Sequence, residues 1–187
     1  MPYLSLRTGG LSLLVRLLFV AALGLGTLAA LPATTAHASE TTRTVSGSTA
    51  LQSERKIGAR ERRTRKVRKA LRIVKNQKGD PYRYGASGPG SFDCSGLVNY
   101  AYRKAGFKGT PRTSSQQAGW AKRIKRKHLR PGDLVFFTGS GGVYHVGIFS
   151  GRARGGAPKM INAPYSGTRV RTEKIWGNNW FAGTVRR

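Results

Sequence analysis

The chain has 187 residues, with 34 Lys and Arg against seven Asp and Glu, a net charge of +27 and one cysteine, Cys94. A field of that sign favours polyanions (nucleic acid, anionic lipid, acidic polymers) and says little about fold. A lone cysteine excludes a disulfide framework within the chain, and no phosphate-cradling glycine motif is present.

Arg7 and Arg16 lead into the apolar run Leu17 to Leu31, which ends at Pro32 and is followed by Thr35-Ala-His-Ala38. The Ala36-x-Ala38 spacing suits signal-peptidase cleavage before Ser39. The run is shorter than the roughly 20 apolar residues that span a bilayer. Residues 1–38 are therefore expected to be a signal peptide, leaving no stable membrane anchor and a secreted, extracellular or wall-associated product. No cysteine near the cleavage point could carry a lipid. Removal of Arg7 and Arg16 lowers the net charge to +25. For an exported protein, anionic wall polymers precede nucleic acid as partners, and no specific nucleic acid is expected.

Residues 39–53 are rich in Ser and Thr without apolar period and predict a flexible tail. Basic residues crowd from Arg55 to Lys69, so 39–63 form a basic N-terminal segment, either a solvated face or the part that meets anionic wall polymers. Val67, Ala70, Leu71 and Val74 share one helical face, which predicts a helix over about 64–78 stopped by Gly79-Asp-Pro81. After the loop Gly85 to Gly90, a second helix is expected from Cys94 to Ala105, closed by Gly106. Thr113-Ser-Ser-Gln116 is a capping box that opens a third, through about Ile124. The basic stretch Lys122 to Arg130 reads as a connector. Strands follow at 134–137 and 143–149, with shorter ones at 159–162, 168–171 and 182–186. Helices first and strands later predict one α+β domain over 64–187.

Cys94 falls where a glycine-rich loop meets a predicted helix. Unpaired N–H groups and the macrodipole there favour a thiolate, the nucleophilic form. Asp93 beside it would raise the thiol pKa if it faced the sulfur, so it is expected to point elsewhere, into capping or substrate binding. An inert buried thiol or an intermolecular link are the other readings of a single cysteine. Once the signal is removed, His128 and His145 are the remaining bases. His128 lies in the basic connector without an orienting context. His145 lies within a strand, on the face expected to carry Val143, Gly147 and Phe149. Asn162, in the next strand, could accept the imidazole Nδ1–H and fix its tautomer, or be a strand-end turn residue. Two histidines, one cysteine and seven acids make a three-ligand zinc site hard to assemble, so neither a metal nor another cofactor is expected.

Gly79-Asp-Pro-Tyr82, Ser91-Phe-Asp-Cys-Ser-Gly-Leu-Val98, Pro111-Arg-Thr113, Pro131-Gly-Asp-Leu-Val-Phe-Phe137, His145-Val-Gly-Ile148 and Met160-Ile-Asn-Ala-Pro164 occur in this order. Together they strongly resemble the NlpC-type cell-wall cysteine peptidases. The resemblance implies a papain-like α+β core, with N-terminal helices packed on an antiparallel sheet or small partial barrel. It implies Cys94 as nucleophile, His145 as base and Asn162 at the third polar position, more often His in that family. Tyr82 matches a tyrosine lining the active site, and Asp93 and Ser95 match positions that help hold the free amine of the substrate peptide. The glycine pair usual after the tyrosine motif is here Gly85-Ala86. The implied reaction is hydrolysis of the D-γ-glutamyl–diamino acid bond of peptidoglycan stem peptides. Rival readings are a wall amidase or acyl transferase using the same dyad, and a non-catalytic polycation that binds acidic wall polymers.

Overall fold

The buried stripe Val67, Ala70, Leu71 and Val74 fastens a long helix, α1 (Glu40–Asn76), to the rest of the chain. In this computed structural model residues 40–186 are described, and the expected signal peptide lies outside them. The helix begins well before the expected residue 64, and the stretch expected to be a flexible tail is helical from Glu40. Its sequence from Ala50 onward is rich in Ala, Leu, Glu, Lys and Arg and has no proline, so propensity carries the helix without a buried face. Leu51 and Ile57 accordingly remain exposed.

The next two helices follow their caps. Helix α2 (Cys94–Lys104) is capped by Asp93 and buries Leu97, Val98, Ala101 and Tyr102. Helix α3 (Ser114–Trp120) is opened by Thr113 in a two-armed capping box with Gln116. It stops before the expected Ile124, because the supposed connector begins with a strand, β1 (Lys122–Ile124), that pairs with the C-terminal strand. A short 3-10 turn, Arg126–His128, completes that stretch.

The remaining strands are β2 (Leu134–Gly139), β3 (Gly142–Arg152), β4 (Pro158–Asn162), β5 (Arg171–Lys174) and β6 (Trp180–Thr184). They form one sheet in the order β1-β6-β2-β3-β4-β5, every neighbouring pair antiparallel. β5 lies a few residues later than the expected 168–171, and β6 a little earlier than 182–186. The α+β expectation holds: three helices pack on an open antiparallel sheet.

Alternation splits the strands between two apolar clusters. Leu134, Phe136, Val146, Ile148 and Ile161 face the helices, while Val135, Phe137, Phe149 and Met160 form a second cluster on the other face. Each such side chain contributes about 1.5–3 kcal/mol on burial. Tyr102 Oη donates to the Gly132 carbonyl, and Arg186 pairs with the buried Asp133, which ties α2 and the C-terminus to the turn before β2.

A bulge sets the site. Phe137 lies opposite His145 but Thr138 lies opposite Val143, so Tyr144 is the extra residue. Strict alternation would place Val143 on the face of His145 and Phe149. The bulge breaks that phase, and Val143 packs against the helix-side cluster.

Candidate active site

Cys94 is the first residue of α2, because Asp93 ends the extended loop and caps the helix. Asp93 Oδ1 accepts from Gly96 N–H at 2.7 Å, Ser95 Oγ at 3.2 Å and Arg112 Nη1 at 3.0 Å; Oδ2 accepts from Gly85 N–H at 2.9 Å and Arg112 Nη2 at 2.5 Å. Burial raises the Asp93 carboxyl, but the Arg112 guanidinium and the N–H groups of Gly96 and Gly85 outweigh it and hold it below its ordinary range. The carboxylate thus serves capping, as expected, and its charge still reaches the thiol. Arg112 also donates to Ser95 Oγ. Asp93 and Ser95 are buried with their oxygens committed to Arg112 and to each other.

Glycine in the Cys-Ser-Gly element has a steric cause. A Cβ on Gly96 would lie 2.0 Å from the Ala86 carbonyl oxygen, so the first turn of α2 can press against the loop 85–90 only without a side chain there. On β3 a Cβ at Gly147 would lie 2.4 Å from Met160 Sδ across the strand pair, so the buried Met160 side chain would have to shift to admit one. Both motif glycines permit close approach of backbone to a neighbour.

A cavity of about 490 Å³ opens between these elements, lined by Tyr82, Cys94, Tyr144, His145, Pro164, Tyr165, Arg171, Glu173 and Trp176. It brings Tyr82, Cys94 and His145 together; Asp93 and Ser95 do not line it. Behind His145 lies Asn162, fully buried, with Oδ1 2.9 Å from His145 Nε2. The ring nitrogen engaged is Nε2 rather than the expected Nδ1. Asn162 Nδ2 donates to Glu173 Oε1 at 2.7 Å, so Oδ1 is the acceptor and Nε2–H the donor. Nδ1 is left with the lone pair. Arg171 in turn binds Glu173 Oε2 through Nε and Nη2, each at 3.2 Å. The rings of Phe137 and Trp176 flank the imidazole, both at 5.5 Å between centroids.

Burial pushes the Cys94 thiol up from its ordinary value; backbone hydrogen bonds from Val146 and Ser95 pull it down, and the Asp93 charge adds to the rise. Burial pushes the His145 imidazole down, opposed by the Asn162 hydrogen bond and the Glu173 charge. Helix position alone predicts a thiolate; desolvation outweighs it here, and burial favours the uncharged form of both groups. Burial, together with the charges of Cys94, Asp93 and Tyr84, raises Tyr82, so its hydroxyl stays protonated.

Sequence reasoning missed Glu173, Trp176 and the partners of Arg112. Arg112 stands in the quoted Pro-Arg-Thr element, and Glu173 is one of only seven acids, which was signal enough to single it out. Trp176 follows β5 in a loop with no motif. His128 lies near Arg60, Lys122 and Arg186, away from the cavity of Cys94. Among the described residues no cluster of three or more His, Cys, Asp or Glu could hold a metal ion, and no helix is long and apolar enough to cross a membrane.

A thiol at a helix start, an imidazole on a facing strand and a carboxamide behind it, on helices packed against an antiparallel sheet, define the papain-like class of folds. Within that class the chain belongs to the NlpC/P60 family, whose model matches residues 79–186. It is 42% identical over 102 residues to a probable endopeptidase p60 of Listeria monocytogenes, covering 54% of this chain and 19% of that protein. It is 38% identical over 124 residues to the murein DD-endopeptidase MepH of Escherichia coli, covering 62% and 44% respectively. The chain therefore spans less than half the length of either relative. The crystal structure of the NlpC/p60 domain of peptidoglycan hydrolase SagA superposes with a TM-score of 0.55 at 29% identity, covering 64% of this chain and 98% of that domain.

Proposed function

We propose that the chain is an exported, wall-associated cysteine endopeptidase that cuts peptidoglycan stem peptides at the D-γ-glutamyl–diamino acid bond. The observation that carries this reading is one cavity holding Cys94 and His145, with Asn162 fixing the imidazole from behind. The family supports a peptidoglycan substrate, and the resemblance of the Tyr82 and Cys94 motifs supports the bond.

In this mechanism His145 Nδ1 takes the Cys94 proton as the sulfur attacks the carbonyl carbon. The thiolate forms during attack, which suits a pair whose burial favours the uncharged forms. Gly96 N–H is taken by Asp93 Oδ1, Leu97 N–H by the Asp93 carbonyl and Ser95 N–H by the Cys94 sulfur, which leaves the Cys94 N–H at the helix start as the donor for the oxyanion. The protonated Tyr82 hydroxyl is a second donor on the cavity wall. The tetrahedral intermediate collapses, His145 passes its proton to the leaving amine, and a thioester remains on Cys94. Water then attacks the thioester carbonyl, His145 receives its proton, and the acid leaves as the thiol is restored. The resemblance puts Asp93 and Ser95 at the free amine of the substrate; in this geometry they do not line the cavity and support the first turn of α2, which carries Cys94.

The test is incubation with purified soluble wall fragments that keep their sugars and cross-links, with mass spectrometry of the products. A new amine on the diamino acid establishes the bond. A cut at another peptide bond, or release of the stem from its sugar, keeps the dyad and moves the protein to another endopeptidase reading or to the amidase reading.

A further inference from the structure

Outside the catalytic cavity the strongest unexplained feature is the stretch Lys122-Arg-Ile-Lys-Arg-Lys-His-Leu-Arg130, six cations and a histidine in nine residues. No carboxylate occurs anywhere from Cys94 to Gly132. The stretch forms β1, which is the sheet edge, and the 3-10 turn after it, and its six cations are all exposed. Edge lysines blunt strand-to-strand aggregation, yet a strand of three residues needs far fewer charges than these.

Two cavities flank the strand and share Ile124. One, of about 530 Å³, lies over Arg123, Lys125, Arg126, Trp180 and Phe181; the other, of about 450 Å³, lies over Arg60, Lys122, His128, Arg130 and Arg186. The second also contains Asp133, which is buried and already paired with Arg186. Arg126 stacks at 3.9 Å on the Trp180 ring and donates to the Asn178 and Trp180 carbonyls, and Arg123 stacks at 4.4 Å on Phe181. These two guanidinium groups are held in place, while Lys122, Lys125 and Lys127 have no acidic partner among the described residues.

We propose that this edge is a docking surface for a linear phosphodiester polymer without bases, a polyol-phosphate chain of the kind that makes a wall acidic. Charge complementarity gives the sign of the partner. Its kind follows from the aromatic rings. Binding of single-stranded nucleic acid uses exposed rings as stacking platforms, and here arginines cover the faces of Trp180 and Phe181, so the surface offers charge and little stacking. The sheet order places β6 and β2 between this edge and β3, about 14 Å at the usual strand spacing. A polymer bound there leaves the cavity of Cys94 open. The inference deepens the wall-hydrolase reading by adding a partner surface, and moves polymer binding from the basic segment 39–63 to the domain itself.

The experiment uses full-chain protein with Lys122→Gln, Lys125→Gln and Lys127→Gln combined, beside an equal charge loss on α1, Arg55→Gln, Lys56→Gln and Arg62→Gln. Binding to purified poly(glycerol phosphate) and to a single-stranded DNA of matched charge is measured against salt, and cleavage of soluble stem peptide is read separately. The edge variant is expected to lower the slope of log affinity against log salt for poly(glycerol phosphate) by about 2 to 3. The α1 variant is expected to lower it by less than 1, and peptide cleavage to stay unchanged in both. Equal losses in the two variants would overturn the proposal, because binding would then follow net charge alone. An edge-dependent preference for DNA would overturn it in favour of nucleic acid. Peptide cleavage absent from the unaltered protein would count against the hydrolase reading and leave the docking result standing.

Discussion

Asn162 is held by Glu173: its Nδ2 donates to Glu173 Oε1 at 2.7 Å, which leaves Oδ1 as the atom presented to His145. An amide that could rotate would as readily present NH₂ to the imidazole and select the wrong tautomer. Glu173 is fixed in its turn by Arg171 on the same strand. The His145 ring is thus oriented through two strands of the sheet, β4 and β5, rather than by one neighbour.

Glu173→Ala should therefore lower kcat by about 10- to 100-fold, the range for a misplaced catalytic group. Glu173→Gln keeps an acceptor for Asn162 Nδ2 and should recover most of the rate. Steady-state kinetics of both variants on a soluble stem peptide check this. Equal loss in the two would mean that the Glu173 charge, rather than the orientation of Asn162, is what matters.

A neutral resting pair has a signature in alkylation. Since burial raises the thiol and lowers the imidazole, the rate of Cys94 alkylation by iodoacetamide should climb toward a midpoint above the ordinary thiol value of 9.0. A rate already at its plateau near pH 6 would instead reveal a preformed thiolate–imidazolium pair.

His145 also links stability to pH. Its folded pKa lies below the ordinary 6.5, so the unfolded chain binds the proton more tightly. The contribution is fully present above pH 6.5 and is lost as pH falls through the lower folded value. Denaturant unfolding of wild type and His145→Gln at pH 7.5 and pH 5 isolates it. The advantage of wild type over the variant should narrow at the lower pH.

Gly96→Ala places a methyl 2.0 Å from the Ala86 carbonyl oxygen. Backbone cannot yield as a flexible side chain would, so the first turn of α2 must shift. A loss of about 1–3 kcal/mol is expected, with a fall in kcat greater than the loss of folded protein explains, because Cys94 rides on that turn. Thermal unfolding and kinetics on the folded fraction separate the two.

Arg112→Lys tests the rim that holds Asp93. Lysine keeps the charge but not the fork that reaches both carboxylate oxygens and Ser95. A loss of about 2 kcal/mol is expected, as for hydrogen bonds to a charged group. Unchanged unfolding of Arg112→Lys would show that charge alone suffices there.

The elements with a buried face or a cap were legible from sequence. Val67, Ala70, Leu71 and Val74 marked the part of α1 that packs, and Thr113 marked the start of α3. The elements that propensity or pairing alone sustains were not. The part of α1 from Ala50 to Lys66 has no buried face to betray it, and β1 is a strand only because β6 lies beside it. In the site, Cys94, His145 and Asn162 stood out by scarcity and position, and the cavity brings the first two together with Tyr82. Tyr144 as a bulge, Nε2 as the engaged nitrogen and the hold of Glu173 on Asn162 depend on cross-strand register, which no local pattern encodes.

Isolation of the acyl-enzyme tests the assignment of Cys94 most directly. The protein is mixed with stem peptide, quenched in acid within the first turnovers, digested and examined by mass spectrometry. The peptide containing Cys94 should carry the mass of the amino-side fragment of the substrate, and Cys94→Ala should form neither adduct nor product. Cleavage by Cys94→Ala at the wild-type rate would contradict Cys94 as the nucleophile.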